Sequence, residues 1–193
     1  MADGKPLRDI QDMTRDELLG FLEDAAVLWL AHDGLWFQSV EKRYGTDVGR
    51  QCSGEAIGAY SEIEAKRIMK RFGLPQNGGI PALMQALRFR MYHLINKQDF
   101  VEVSEKRCIF RMRECRVQAM RKKKGLPDYP CKTTGIEEYS HFAAAVDPRI
   151  KTRCVACPPD GHPEEYWCAW EFSLGEYGTP HGFAHKIGQI EED

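Results

Sequence analysis

The sequence lacks any apolar run approaching the roughly 18 residues that a membrane-spanning helix needs. It also lacks an excess of either charge, since 27 basic residues face 29 acidic ones for a formal net charge of −2. Residues 1–17 are polar and contain acids, unlike the basic and apolar parts of a secretory signal. We therefore expect no membrane partner, no overall attraction to nucleic acid, and a cytoplasmic location.

A second closely spaced cysteine pair, which a complete structural zinc site usually shows, is also missing. The chain nevertheless has seven cysteines, an odd number, and its 193 residues far exceed the size of a disulfide-stapled miniprotein. A reducing cytoplasm would keep such cysteines mainly as thiols. These features favour free thiols, a metal site or a reactive cysteine over a disulfide framework.

The period of the hydrophobic pattern changes near residue 88. Before it, apolar residues recur with a helical period, a capping box stands at Thr14 to Glu17, and Gly45 and Gly73 mark helix ends. From residue 89, apolar and polar residues alternate, which predicts a three-strand antiparallel meander with Cys108, Phe110 and Met112 on its buried face. Two helices and a C-terminal hairpin follow.

These patterns predict a single α+β domain in which N-terminal helices pack on a mainly antiparallel sheet. Residues 1–87 form the helical half, residues 88–174 form the sheet-containing half, and residues 175–193 form a loose tail. The composition includes 42% hydrophobic residues, enough for one domain with a sizeable core.

Three cysteines are gathered by the C-terminal hairpin. Cys154 and Cys157 form a C-x-x-C pair, and the Pro-Pro-Asp-Gly turn after them folds Cys168 back towards the pair. Thiolates at this spacing suit zinc, with another cysteine or a histidine as the fourth ligand. The alternative is that the thiols pack as small buried apolar groups. If the hairpin forms, Cys157 should be the most exposed of the three because it lies at the turn end.

Cys131 is the predicted reactive thiol. It lies just upstream of a helix that the capping box Thr134 to Glu137 should begin, and a helix N-terminus and Lys132 would both lower a thiol pKa. His141 on that helix is the predicted general base. The alternative for His141 is an ordinary half-exposed helical residue.

Two other groups are predicted to bind a ligand. Residues 106–124 carry nine basic residues and one acid, and Arg111 and Arg113 in this stretch could bind a small anion. Ion pairing with the chain's own acids is the competing explanation, and nucleic acid is disfavoured because no aromatic residues interleave with the arginines.

In the first helix, Gly34 predicts an interruption, with His32, Asp33 and Trp36 at the mouth of a pocket or packed in the core.

Four segments carry a family resemblance. They are AHDGLWFQSVEKRYG (31–45), CRVQAMRKKKGLPDYPC (115–131), RCVACPPD (153–160) and WCAWEF (167–172). Together they resemble a family of uncharacterised cytosolic proteins of bacteria and archaea that is distantly similar to L-2-amino-thiazoline-4-carboxylic acid hydrolase. The order of a late helix, a strand, a turn and a strand with a final cysteine also resembles the vinyl-4-reductase ligand-binding domain. The resemblance implies a ligand pocket between the sheet and the N-terminal helices.

Two hypotheses of function follow. The first is a small-molecule-binding protein, in its sharper form a thiol-dependent hydrolase of a small amide-like or cysteine-related substrate. The second is a non-catalytic zinc-binding sensor or interaction module that uses the C-terminal cysteines. The expected partner is a small anionic or polar ligand, and assembly into a homo-oligomer stays open.

Overall fold

The computed structural model describes residues 9–175 and has helices on one side of a four-stranded sheet. The elements in chain order are a short 3-10 turn Ile10–Asp12, α1 Arg15–Tyr44, α2 Thr46–Phe72, α3 Gly79–Leu87, α4 Met91–Ile95, β1 Lys97–Val101, β2 Arg107–Glu114, α5 Arg116–Lys123, α6 Lys132–Val146, β3 Ile150–Ala156 and β4 Cys168–Leu174. The predicted α+β fold class is confirmed. Apart from Gly175, the predicted loose tail lies outside the described residues.

The bounds of the long helices follow from the residues at their ends. The Thr14 side chain accepts from the Glu17 N–H at 3.3 Å, while the Glu17 carboxylate accepts from the Thr14 N–H at 2.8 Å, so the predicted capping box begins α1. Gly45 ends α1 at φ 88°, and Gly73 ends α2 in the left-handed region at φ 63°, where glycine carries no steric penalty. The helical half is therefore encoded locally.

The sheet is antiparallel throughout, with strand order β1-β2-β4-β3. The hairpin strands β3 and β4 pair as predicted, with Cys154 opposite Trp170. Strand β4 also pairs with β2, where Phe110 lies opposite the same Trp170. This inner position of β4 brings the C-terminal cysteines into the middle of the fold.

The core lies between the inner face of the sheet and helices α2, α3 and α6. Cys108, Phe110 and Met112 alternate inward from β2 as predicted, and Trp170 and Phe172 do so from β4. Helix α6 contributes Phe142 and Val146, both fully buried. Because α6 is packed between α2 and the sheet, both ends of this helix are fixed by tertiary contacts.

Three local predictions are wrong. Residues 89–95 do not form the first strand of a meander, because the chain turns at Arg90 and continues as α4. The buried guanidinium of Arg90 bonds to Glu64 of α2 at 2.7 Å and to Glu138 of α6 at 2.6 Å, and this anchor overrides the alternating pattern. Within this segment, Phe89 is exposed and stacks on Phe72 with ring centroids 3.6 Å apart.

The other two errors concern helices. Helix α1 is continuous through His32 and Gly34, because nothing packs close enough to Gly34 to bend it. Helix α6 begins at Lys132, two residues before the predicted capping box, and the Thr134 hydroxyl has no hydrogen-bond partner. The N–H of Lys132 is satisfied by the carbonyl of Pro158 at 3.0 Å, so a distant loop takes the place of a local cap.

Candidate thiol site

The Cys131 side chain stands at the start of α6, on a loop that a buried glutamine holds in place. The Gln118 amide donates to the carbonyl of Tyr129 at 2.9 Å and accepts from its N–H at 2.9 Å. Gln118 is almost fully buried, so these two bonds fix the loop against α5. The same amide nitrogen lies 3.7 Å from the Cys131 sulfur. Cys131 is therefore a partly exposed thiol on a loop held by hydrogen bonds.

Cys157 lies directly beneath Cys131. Its sulfur is 3.4 Å from the Cys131 sulfur, although 26 residues separate the two in sequence. Cys157 has no solvent exposure, so the expectation that it would be the most exposed hairpin thiol is wrong. The physical reason is an irregularity in β3 between Cys154 and Ala156, after which the chain turns inward beneath the first turn of α6.

The two sulfurs form one hydrogen-bonded pair with opposite pKa shifts. The pKa of Cys131 is lowered, chiefly because Cys157 donates a hydrogen bond to its thiolate, although burial opposes this. The pKa of Cys157 is strongly raised by the hydrogen bonds with Cys131 and Cys168 and by burial. When the pair loses one proton, the charge therefore lies on the partly exposed Cys131 sulfur and the buried Cys157 keeps its proton.

Other cysteines surround this pair without sharing its character. Cys168 is buried in β4 and accepts a hydrogen bond from the Trp170 indole N–H at 3.4 Å. Burial raises the pKa of Cys115 to about 12 and also raises the pKa of Cys154. Among these neighbours, Cys131 is the thiol whose environment favours the nucleophilic form.

The predicted zinc ligands do not form a ready metal site. In residues 9–175, no group of three or more histidine, cysteine, aspartate or glutamate side chains is placed to hold a metal ion. Cys157 lies against Cys131 instead of completing a set with Cys154, which stands opposite Trp170 in the sheet. The three predicted ligands are therefore not gathered into one set, and zinc binding by these cysteines stays a prediction.

His141 is too far along α6 to serve as a base for Cys131. Ten residues separate them, and a rise of 1.5 Å per residue places them roughly 15 Å apart along the helix axis. The His141 ring packs against Gly58 of α2, where an added Cβ would lie 2.5 Å from Nδ1. Its Nε2 lies 4.0 Å from the Glu137 carboxylate. The predicted pair is not brought together.

The predicted ligand-binding residues form two groups, one on β2 and one on α1. Arg111 donates to both Asp99 oxygens, at 2.8 and 2.6 Å, and Arg113 reaches the same carboxylate at 3.4 Å. Both arginines lie on the outer sheet face, so the competing ion-pair explanation accounts for them. His32, Asp33 and Trp36 lie on α1, which packs on α2 and α4. Trp36 is 63% exposed.

A buried charged cluster was missed by sequence reasoning. Arg90 bonds to Glu64 and Glu138 as described above, and its guanidinium also faces the ring of Phe142 at 4.7 Å. Burial raises the pKa of Glu138 above its ordinary value. Burial also raises the pKa of Tyr92 well above its ordinary value. No sequence signal could have found this cluster, because its members come from three separate elements.

Two surface clefts lie elsewhere on the molecule. One of about 360 Å³ is bordered by α1 and the start of β1, and another of about 630 Å³ lies beside α3 and the β1–β2 loop. Neither is lined by a predicted site residue.

Within residues 9–175, no helix has both the length and the apolar character that crossing a bilayer requires.

Three comparisons with known proteins bear on what kind of protein this is. Comparison with curated proteins and with solved structures finds no match. A family match, however, extends over residues 11–174 and so includes every element from α1 to β4. The chain therefore belongs to DUF6125, a family of unknown function.

Proposed function

We propose that this protein is a thiol-dependent enzyme that acts on a small substrate through the Cys131 thiolate. The carrying observation is the Cys131–Cys157 sulfur pair, 3.4 Å apart, in which the partly exposed member has the lowered pKa. A thiolate, unlike a thiol, is a competent nucleophile at neutral pH. The buried Cys157 proton stabilises that thiolate without blocking its exposed side.

Hydrolysis of a small amide-like or cysteine-related substrate is the reaction we favour. This choice is supported by the resemblance to L-2-amino-thiazoline-4-carboxylic acid hydrolase. The Cys131 sulfur would attack the substrate carbon, the carbon–nitrogen bond would break, and the amine would leave with a proton taken from a water molecule. Water would then cleave the thioester and restore the thiolate. Apart from the Lys132 N–H, which bonds to Pro158, the first-turn N–H groups of α6 would stabilise the oxyanion.

The ligand class follows from the same surroundings. The first turn of α6 favours negative charge, although the Lys132 ammonium at this end of the helix already pairs with Asp160 at 2.6 Å. A small anionic or polar substrate is therefore the proposed ligand. A cytoplasmic location is part of the proposal, because a reducing compartment keeps Cys131 and Cys157 as free thiols.

Alkylation followed by peptide mapping tests the proposal. A limiting amount of iodoacetamide at near-neutral pH should label Cys131 before Cys52, although Cys52 is the more exposed thiol. A panel of small amides and thiazoline carboxylates should then show turnover that Cys131→Ser abolishes and Cys52→Ser preserves. Slower labelling of Cys131 than of Cys52, or hydrolysis that survives in Cys131→Ser, would rule out this role.

We also propose that two copies of the chain associate through α1. Leu18, Phe21, Leu28 and Leu35 lie on one stripe of this helix with a spacing of three or seven residues, and Leu28 is 67% exposed. The first turn of α1 is acidic and its last turn is basic, with Lys42 and Arg43. An antiparallel second copy would cover the stripe and place each acidic end beside a basic end. A second copy is therefore the occupant that this charge pattern favours.

A further inference from the structure

The pair of cysteines at positions 131 and 157 suits a second reaction besides hydrolysis. A thiol hydrolase needs one cysteine, yet here a second sulfur lies in contact with the first. Cys157 has no solvent exposure, so an external molecule does not reach it directly, whereas Cys131 in contact with it is partly exposed. One sulfur is thus placed to meet a substrate, and the other is placed to attack whatever forms on the first.

We propose that Cys131 and Cys157 form a reversible dithiol–disulfide couple that exchanges with low-molecular-weight disulfides. The inference rests on the proposed function in that both use Cys131 as the nucleophile. It adds a substrate class, the small disulfide, and it assigns to Cys157 the role of the resolving thiol.

The exchange balances without any further reactant. The Cys131 thiolate attacks one sulfur of a disulfide RSSR, the S–S bond breaks, and RS⁻ leaves and takes up a proton. Cys157 then gives up its proton and its sulfur attacks Cys131, which breaks the mixed disulfide and releases the second thiol. The net change is that RSSR is reduced to two RSH while the two protein thiols are oxidised to one disulfide.

The geometry requires only a small movement for the second step. A disulfide bond is about 2.05 Å long, so the sulfurs need to approach by roughly 1.4 Å from their separation of 3.4 Å. Cys131 belongs to the loop that ends at α6, and Cys157 belongs to the chain leaving β3. Both are therefore at element ends, where a shift of this size leaves the helix and the sheet intact.

Cys168 is a third cysteine close to the Cys131–Cys157 pair. The Trp170 indole N–H holds the Cys168 sulfur at 3.4 Å, and Cys168 contributes to the raised pKa of Cys157. Cys168 is buried in β4, where the strand pairs with both β2 and β3. We assign it no exchange step, because the paired strand holds its sulfur in the core while Cys131 is the thiol that meets solvent.

The test uses glutathione disulfide as the probe and the intact chain. Reduced protein is incubated with the probe without oxygen, quenched in acid, alkylated, and read by intact mass and peptide mapping. The wild type should lose two hydrogens, form a peptide cross-linked through Cys131 and Cys157, and release two thiols per chain. Cys131→Ser should react at least about tenfold more slowly, because the accessible thiolate is gone.

Cys157→Ser should stop at the mixed disulfide on Cys131, while Cys154→Ser, the control, should behave as the wild type. A stable mixed disulfide on the wild type, or a cross-link between other cysteines, would overturn the couple. The wild-type peptide map decides this even if Cys157→Ser fails to fold. Fast alkylation of Cys131 without a cross-link would reject this inference and leave the proposed nucleophile standing, whereas slow alkylation of Cys131 would reject both.

Discussion

Gly135 of α6 lies against the indole ring of Trp170 in β4 so closely that a Cβ on the glycine would be 2.6 Å from Cζ2. Trp170 is 1% exposed and cannot move away. This contact sets the distance between α6 and the sheet. Cys131 precedes α6 and Cys157 follows β3, so the same contact sets the separation of these two cysteines. The spacing of the thiol pair therefore depends on a residue that carries no functional group.

Gly135→Ala should destabilise the fold by about 1–3 kcal/mol, because the added methyl overlaps a ring that has no room to shift. Gly34→Ala is the matched control, since nothing lies within 4 Å of its added Cβ. It should raise the free energy of unfolding by up to about 1 kcal/mol through helix propensity. Urea denaturation of both variants measures the difference, and equal effects would contradict the close-packing argument.

Arg90→Met should cost about 3–5 kcal/mol of unfolding free energy, because it leaves the Glu64 and Glu138 carboxylates buried without their counter-ion. Arg67→Met is the control on an exposed face of α2 and should change stability by no more than about 0.5 kcal/mol. Chemical denaturation followed by circular dichroism measures both. A stable Arg90→Met protein would show that the buried cluster is dispensable.

Acid should weaken the fold through Glu171. Hydrogen bonds from Arg153 and Arg107 lower its pKa below the ordinary value of 4.5. The folded state therefore binds fewer protons at Glu171, so this group stabilises the fold above about pH 4.5, and the contribution is lost as pH falls through the lower folded pKa. Glu171→Gln should flatten the acid limb of a stability–pH curve, whereas exposed Glu164→Gln should not. Parallel curves for the wild type and Glu171→Gln would contradict this assignment.

Leu28→Glu combined with Leu35→Glu should abolish association of the chain, because charges would lie in the middle of the apolar stripe on α1. Val103→Glu, at an exposed position between β1 and β2, is the control and should leave association unchanged. Sedimentation velocity over a concentration series measures the mass. A wild type that stays monomeric up to about 100 μM would reject the second copy as the occupant of this surface.

Local chemistry in the sequence predicted much of the helical half and part of the sheet. The capping box at Thr14 and the glycines at 45 and 73 fix helix ends with bonds that span five residues or fewer, so one segment suffices to predict them. Strand β2 was recognised because its alternation of Cys108, Phe110 and Met112 with arginines is long and regular. The predicted strand over residues 89–95 was wrong. Its alternating pattern is short, and the bonds from Arg90 to the distant carboxylates of Glu64 and Glu138 turn the chain there.

The candidate site divides in the same way. The sequence by itself determined that Cys131 precedes a helix and that Cys154, Cys157 and Cys168 share a hairpin, since both facts depend only on neighbouring residues. Only the tertiary structure decided which sulfurs meet. Cys157 reaches Cys131 because α6 packs on the sheet at the distance that Gly135 and Trp170 set. His141 points away because α2 offers it the space above Gly58. Contacts between segments this far apart depend on shape and packing, which no local pattern of residues records.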